Sequence, residues 1–252
     1  MSTHDKVAVI TGGGTGIGKA TALAFIKDGY RVAIAGRRAE PLEHTVREAG
    51  VDASRVIALP TDVGVPEQVR ALFAKVKSSW GRVDVLFNNA GANAPGIAFE
   101  DLPWEKWKAV VDANMNGMFL CAQEAYKIMK DQTPRGGRII NNGSISAHTP
   151  RPDSAPYTTT KHGVSGLTRT LALDGRKYDI AACQVDVGNA MSELASRMAK
   201  GVKQANGTVA PEPMITTDDV ARSVLFMANQ PAGVNIYRLI VMATNMPYAG
   251  RG

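Results

Sequence analysis

Two rhythms of apolar and polar positions run along the chain. Short apolar runs, rich in β-branched residues and closed by glycine or polar residues, occur at Lys6 to Thr11, Arg31 to Ala35, Arg55 to Leu59, Val83 to Phe87, Arg138 to Asn142, Ile180 to Val187 and Asn235 to Val241. Each predicts a strand. Between them the apolar positions take helical spacing: Gly18 to Asp28 before Gly29, Pro41 to Ala49 before Gly50, and Val69, Leu72, Phe73 and Val76 after Pro66. Trp104 to Lys130 and Tyr157 to Tyr178 predict two long helices, and Val220, Val224, Leu225 and Met227 predict another, capped at Thr217. Residues Met191 to Pro213 follow neither rhythm.

Alternating strands and helices, with several strands apolar throughout, describe an α/β protein: a doubly wound, seven-stranded parallel sheet with helices on both faces. No linker or repeat divides the chain, so residues 1–252 are read as a single domain. Ligands of such sheets sit beyond the strand C-termini, which places the irregular stretch after the sixth strand over the site.

Charge and cysteine content narrow the partners. Lys+Arg 29 against Asp+Glu 23 leaves a net charge of +6. The densest basic groups, Arg37 with Arg38, Arg135 with Arg138, and Arg176 with Lys177, never build the run of about five to eight basic residues of a nucleic-acid patch. No nucleic acid is expected. Cys121 and Cys183 stand far apart and the four histidines show no ligand spacing, so neither a disulfide framework nor a metal site is expected. Val7 to Ile10 is too short for a signal core or a membrane span; the expectation is a cytoplasmic protein in a reducing compartment, with no membrane partner.

The turn after the first strand reads Thr11-Gly12-Gly13-Gly14-Thr15-Gly16-Ile17-Gly18. It misses a strict G-x-G-x-x-G and fits Thr-Gly-x-x-x-Gly-x-Gly. In both patterns glycines admit a pyrophosphate close to backbone, and the following helix N-terminus offers free N–H groups and a positive dipole. Tyr157 and Lys161, four residues apart on a predicted helix, share one face, and a nearby ammonium is expected to lower the phenol pKa. That spacing alone discriminates poorly. Six tyrosines and 13 lysines in 252 residues give about 0.3 chance matches, and Tyr126 with Lys130 is a second one. Ser144 decides between them, because it follows a predicted strand 13 residues before Tyr157, whereas the equivalent position for Tyr126 is Ala113. Tyr126 and Lys130 are read as an exposed helix pair.

With these motifs in order, the sequence resembles the short-chain dehydrogenase/reductase family over almost its whole length. The residues carrying the resemblance are the Gly-rich turn, Asp62-Val63, Asn88-Asn89-Ala90-Gly91, Asn114, Ser144 and Tyr157-Thr-Thr-Thr-Lys161. The resemblance implies a Rossmann fold and a cofactor site made by Gly12, Gly14, Thr15, Gly16, Ile17, Gly18, Asp62, Val63, Asn89, Ala90, Gly91, Val187 and Gly188 together with Tyr157 and Lys161. It implies a tetrad of Asn114, Ser144, Tyr157 and Lys161, and a homo-oligomer, expected to be a tetramer. After the sixth strand the family's usual Asn-Pro-Gly is replaced by Asp186-Val187-Gly188, followed by Asn189-Ala190-Met191-Ser192. Losing the proline frees φ and restores an N–H at Val187.

The expected activity is hydride transfer between NADP(H) and a carbonyl or secondary alcohol. Tyr157 is the acid/base, Ser144 bonds the carbonyl oxygen, Lys161 binds ribose, and Asn114 orders a proton-relaying water. Gly36-Arg37-Arg38 at the end of the second strand leaves room for a 2′-phosphate and offers guanidinium groups to it, where an NAD enzyme would place an acid; NAD(H) stays open as an alternative. A nicotinamide-sensing regulatory protein that binds without turnover is the rival reading, disfavoured by the complete tetrad. The substrate pocket is expected from Ala92 to Ala98, Ile145 to Asp153 and Asn189 to Pro213, without a charge pair, and with Met191, Met198 and Met214 as candidate lid residues. His148 is read as a solvated loop histidine.

Overall fold

The computed structural model describes residues 6–94, 96–191 and 201–248. Chain order gives strands β1 (Val7–Thr11), β2 (Arg31–Gly36), β3 (Val56–Pro60), β4 (Val85–Asn88), β5 (Gly137–Asn142), β6 (Ile180–Val187), β7 (Val202–Lys203), β8 (Val209–Ala210) and β9 (Arg238–Val241). Seven of them form one sheet in the order β3-β2-β1-β4-β5-β6-β9, every neighbouring pair parallel. The order reverses between β1 and β4, so the C-terminal ends of these strands splay their loops apart and open a crevice there.

The helices are α1 (Gly16–Lys27), α2 (Ala39–Ala49), α3 (Pro66–Trp80), α4 (Trp104–Val111), α5 (Gly117–Asp131), α6 (Ala155–Asp174) and α7 (Thr217–Ala228). Strand residues alternate between the two faces even inside apolar runs. Ala8 and Ile10 pack with Phe25 and Ile26 of α1, Leu42 of α2 and Val224 of α7. Val7 and Val9 pack with Leu72 and Phe73 of α3 and Ala125 and Met129 of α5. Burying side chains of this size contributes about 1.5–3 kcal/mol each, which explains why unbroken apolar runs signalled the strands. Cys121 and Cys183 are buried free thiols, pushed up to about 12 by burial.

Several boundaries differ from the expected ones. Helix α1 begins at Gly16, inside the Gly-rich turn, and not at Gly18. The cap of α7 is Thr216, whose hydroxyl accepts from the Asp219 N–H in a reciprocal capping box, so Thr217 is the first helical residue. The expected helix from Trp104 to Lys130 is interrupted by a π-helical turn, Asp112–Asn116, closed by Gly117 N–H donating to Asp112 O. Within the irregular stretch Met191 to Pro213, β7 and β8 make a small antiparallel hairpin; Ser192 and Met198 lie outside the described residues, as does Pro95.

Candidate active site

The crevice is a cleft of about 710 Å³ at the C-terminal edge of the sheet. Gly12, Thr15, Gly16 and Ile17 form one wall, Asn89, Ala90 and Gly91 the floor, and Arg37 the outer end. Thr11 Oγ1 accepts the N–H groups of Asn89 (2.8 Å) and Ala90 (2.9 Å), so the end of β1 fixes the loop leaving β4. Gly12 has φ +69°, and a Cβ there would stand 2.8 Å from Asn89 Nδ2; a side chain would fill the cradle. Gly18 lies outside the lining, but its Cβ would sit 2.1 Å from Gly12 O, so it lets α1 press against the turn. These features fit a dinucleotide: backbone open to close approach, a helix N-terminus aimed at it, and Asn142 Oδ1 buried in the lining with no hydrogen-bond partner among the described residues.

Other expected cofactor residues stand back from the cleft. Gly14 packs towards Pro41 and Leu42. Asp62 accepts the Gly64 N–H at 2.9 Å, Val63 is buried against Gly117, and Arg38 is the N-cap residue of α2. Val187 and Gly188 do line it.

Asn114, Ser144, Tyr157 and Lys161 converge on the inner end of the cleft. The π turn delivers Asn114, whose Oδ1 accepts Ala92 N–H (2.7 Å) and whose Nδ2 donates to Ala92 O (3.0 Å) and Thr160 Oγ1 (3.1 Å). Its side-chain amide is therefore committed to protein groups, leaving any water-ordering role to its main chain. Ser144 caps a short 3-10 turn, its Oγ accepting Ser146 N–H at 3.1 Å, which leaves the hydroxyl proton to be donated. It hydrogen-bonds Tyr157. Lys161 Nζ donates to Asn142 O at 2.7 Å and stands 5.4 Å from the Tyr157 ring centroid.

The electrostatics reverse one expectation. Burial pushes the Tyr157 phenol up; the Ser144 bond and Arg151 pull it down by less, and Asp186 pushes it further up. Burial also lowers Lys161 to about 8, against an opposing push from Asp186. Removing both groups from water outweighs the mutual help expected from their spacing. The second Tyr/Lys match is structural: half-buried Tyr126 donates to Asp174 O at 2.9 Å, and Lys130 Nζ stands 5.2 Å over the Tyr178 ring.

The outer cleft holds what sequence reasoning missed. Arg151 pairs with buried Glu212, which also accepts from Asn189 and Gln204, and Lys203 pairs with Asp153 at 2.8 Å. Charge pairs thus line a region expected to have none, because their members come from separate loops that the sequence does not juxtapose. Met191 is exposed. His148 is an exposed turn residue, as expected, but it has a partner that the sequence did not show: its Nε2 lies 2.9 Å from Asp186 Oδ2.

Residues 6–203 match the short chain dehydrogenase family. The chain belongs to that family. Among its relatives, the 3-oxoacyl-acyl-carrier-protein reductase FabG of Staphylococcus aureus is 33% identical over 232 residues, 90% of this chain and 92% of the relative. The 3-ketoacyl-acyl-carrier-protein reductase of Brucella melitensis, solved with NADH, superposes with a TM-score of 0.84 at 26% identity, covering 95% of this chain and 98% of that one. The closed form of a serine dehydrogenase, solved with NADP+, gives 0.84 at 25% identity and 98% coverage of both chains. The short-chain dehydrogenases are oxidoreductases that bind a nicotinamide dinucleotide, and this chain is one of them. Among the described residues no helix is long and apolar enough to cross a membrane.

Proposed function

We propose that the protein moves a hydride between NADP(H) and a carbonyl or secondary alcohol, with Tyr157 as the acid/base. The observation that carries this reading is the convergence of Ser144, Tyr157 and Lys161 at the inner end of the cleft. A bound nicotinamide dinucleotide supplies or accepts the hydride. Gly12, Thr15, Gly16 and Ile17 would hold its pyrophosphate, and Asn89 to Gly91 with Val187 and Gly188 would line the rest of its site. In the reducing direction Tyr157, kept protonated by burial, gives its proton to the oxygen that becomes the alcohol, while Ser144 donates a hydrogen bond to it. Lys161, held by its donation to Asn142 O, would bind the ribose, and Asn114 ties the Ala92 loop to α6.

Arg37 lines the outer end, and among the described residues a Cβ at Gly36 would meet only Leu42, at 3.5 Å or beyond, so the second strand leaves space for a 2′-phosphate beside a guanidinium. A charge-assisted hydrogen bond contributes about 1.5–3 kcal/mol, a roughly ten- to hundredfold preference for NADPH in kcat/KM. The exposed apolar residues Phe99, Trp104, Phe119, Leu173, Phe226, Val234, Tyr237 and Ile240 support a homo-tetramer as the proposed assembly, and the proposed location is the cytoplasm.

A carbonyl panel assayed with both cofactors tests the reading. Tyr157→Phe lowers turnover by about 10²–10⁴, and Gly36→Asp with Arg37→Ala moves preference towards NADH. Turnover unaffected by the first variant refutes the acid/base role; equal use of both cofactors by wild type refutes the NADP assignment.

A further inference from the structure

A row of polar side chains crosses the sheet at one level. In the parallel register Asn88 pairs with Asn141, Asn141 with Gln184, and Gln184 with Arg238, so the row spans β4, β5, β6 and β9. Side chains in register on adjacent parallel strands share a face. Asn88 Nδ2 donates to Asn141 Oδ1 (3.2 Å), Asn141 Nδ2 to Thr168 Oγ1 (2.9 Å), and Gln184 Nε2 to Ser165 Oγ (3.1 Å). Two residues beyond Gln184, on the same face, stands Asp186.

The Asp186 carboxylate is wholly buried. Oδ1 accepts the main-chain N–H of Ser144 at 3.0 Å and Gln184 Nε2 at 2.5 Å. Oδ2 accepts Arg238 Nε at 2.5 Å and faces His148 Nε2 at 2.9 Å. Arg238 Nη2 also reaches His148 Nε2 at 2.5 Å, so that nitrogen donates to the carboxylate when protonated and accepts from the guanidinium when not. A Cβ on Gly143 would fall 2.0 Å from Asp186 Oδ1; the carboxylate occupies the space that a side chain next to Ser144 would need. A buried carboxylate is costly unless paired and fully bonded, and here two half-buried cationic or polar partners and two N–H donors satisfy it.

We infer that Asp186, anchored by Arg238 and His148, is a positioning residue that sets the Ser144 main chain and the field beneath the reacting end of the cleft. This rests on the Ser144 and Tyr157 roles proposed above. The charge acts beyond the contact: it pushes up both Lys161 and Tyr157. The titratable and charged groups around it are Arg238 on β9, His148 after the 3-10 turn, and Lys161 and Tyr157 on α6, with Arg151 also acting on Tyr157.

Two variants move the site in opposite directions. Asp186→Asn keeps an acceptor for Ser144 N–H but removes the negative charge and turns an N–H against Arg238, so kcat falls about tenfold or more while the NADPH Kd stays within about twofold. The ionisation governing kcat/KM shifts to lower pH. Arg238→Gln removes the cation and leaves the carboxylate less shielded, so the same ionisation shifts to higher pH. Lysine ε-carbon NMR, with the Lys161 signal assigned by Lys161→Met, reads the same opposed shifts without turnover. If Asp186→Asn does not fold, Arg238→Gln alone decides by the sign of its shift. Shifts in the same direction, no shift, or weakened NADPH binding with unchanged kcat overturns the inference. An inactive wild type across the carbonyl panel defeats the functional reading instead, and the NMR shifts still judge the role of Asp186.

Discussion

The two sides of the sheet are filled by different chemistry. On the β1–β2 side the strands are buried almost entirely by apolar residues: Val7 to Ile10 and Val32 to Ala35 are each inaccessible to solvent. On the β5–β9 side Arg138, Asn141, Asn142, Gln184 and Asp186 are all buried, and each is held by hydrogen bonds to other elements. The first side tolerates nothing larger, because its backbone approaches itself and leaves space for a ligand. The second side keeps its buried polar groups paired, apart from Asn142 Oδ1 in the cleft, because a buried polar group without its partner costs about 1–3 kcal/mol.

This contrast gives a ranked set of outcomes. Gly18→Ala forces a Cβ onto Gly12 O, a backbone atom that cannot rotate away, so the overpacking cost of about 3 kcal/mol outweighs any gain in helix propensity. Thermal unfolding is expected to fall by about 10 °C, together with weakened dinucleotide binding by calorimetry. Arg138→Ala, on the polar side, leaves Val234 O and Asn235 Oδ1 without the guanidinium that bonds them at 2.8 and 3.1 Å. A loss of about 2 kcal/mol is expected in urea unfolding, with the cofactor Kd unchanged. A stabilised variant would show that this side is not governed by polar pairing.

Lys161 sharpens the comparison through pH. Folding lowers it from 10.5 to about 8, so between these values the unfolded chain binds the extra proton and the lysine's penalty on folding shrinks as pH rises. The stability of wild type relative to Lys161→Met should improve across that window, read from urea midpoints at several pH values; a constant difference contradicts the burial of the ammonium. Tyr126→Phe is the smallest effect: it removes one hydrogen bond to Asp174 O and leaves turnover within about twofold and stability within about 1 kcal/mol.

The apolar side was legible in the sequence because its information is local. Runs such as Val7 to Ile10 and the glycines after them announce strand, turn and helix by composition alone, and Ser144, Tyr157 and Lys161 were found by spacing and context. The polar side was not legible for the opposite reason. His148 and Arg238 stand 38 and 52 positions from Asp186, so the replacement of Asn-Pro-Gly by Asp186-Val187-Gly188 was visible only as a lost proline, and the gained charge had no partner in view. Glu212 and Arg151, 61 positions apart, were hidden in the same way.

The π turn at Asp112–Asn116 changes how the long helix should be counted. An α-helix advances about 100° per residue, so Val110 and Met118, eight apart, would point about 80° away from each other on an unbroken helix. Both are buried. One surplus residue absorbed in the wide turn makes the eight count as about seven, two full turns, and brings the two side chains back into phase. The segment is thus two helices sharing one phase across an inserted residue, with Asn114 carried on the insertion.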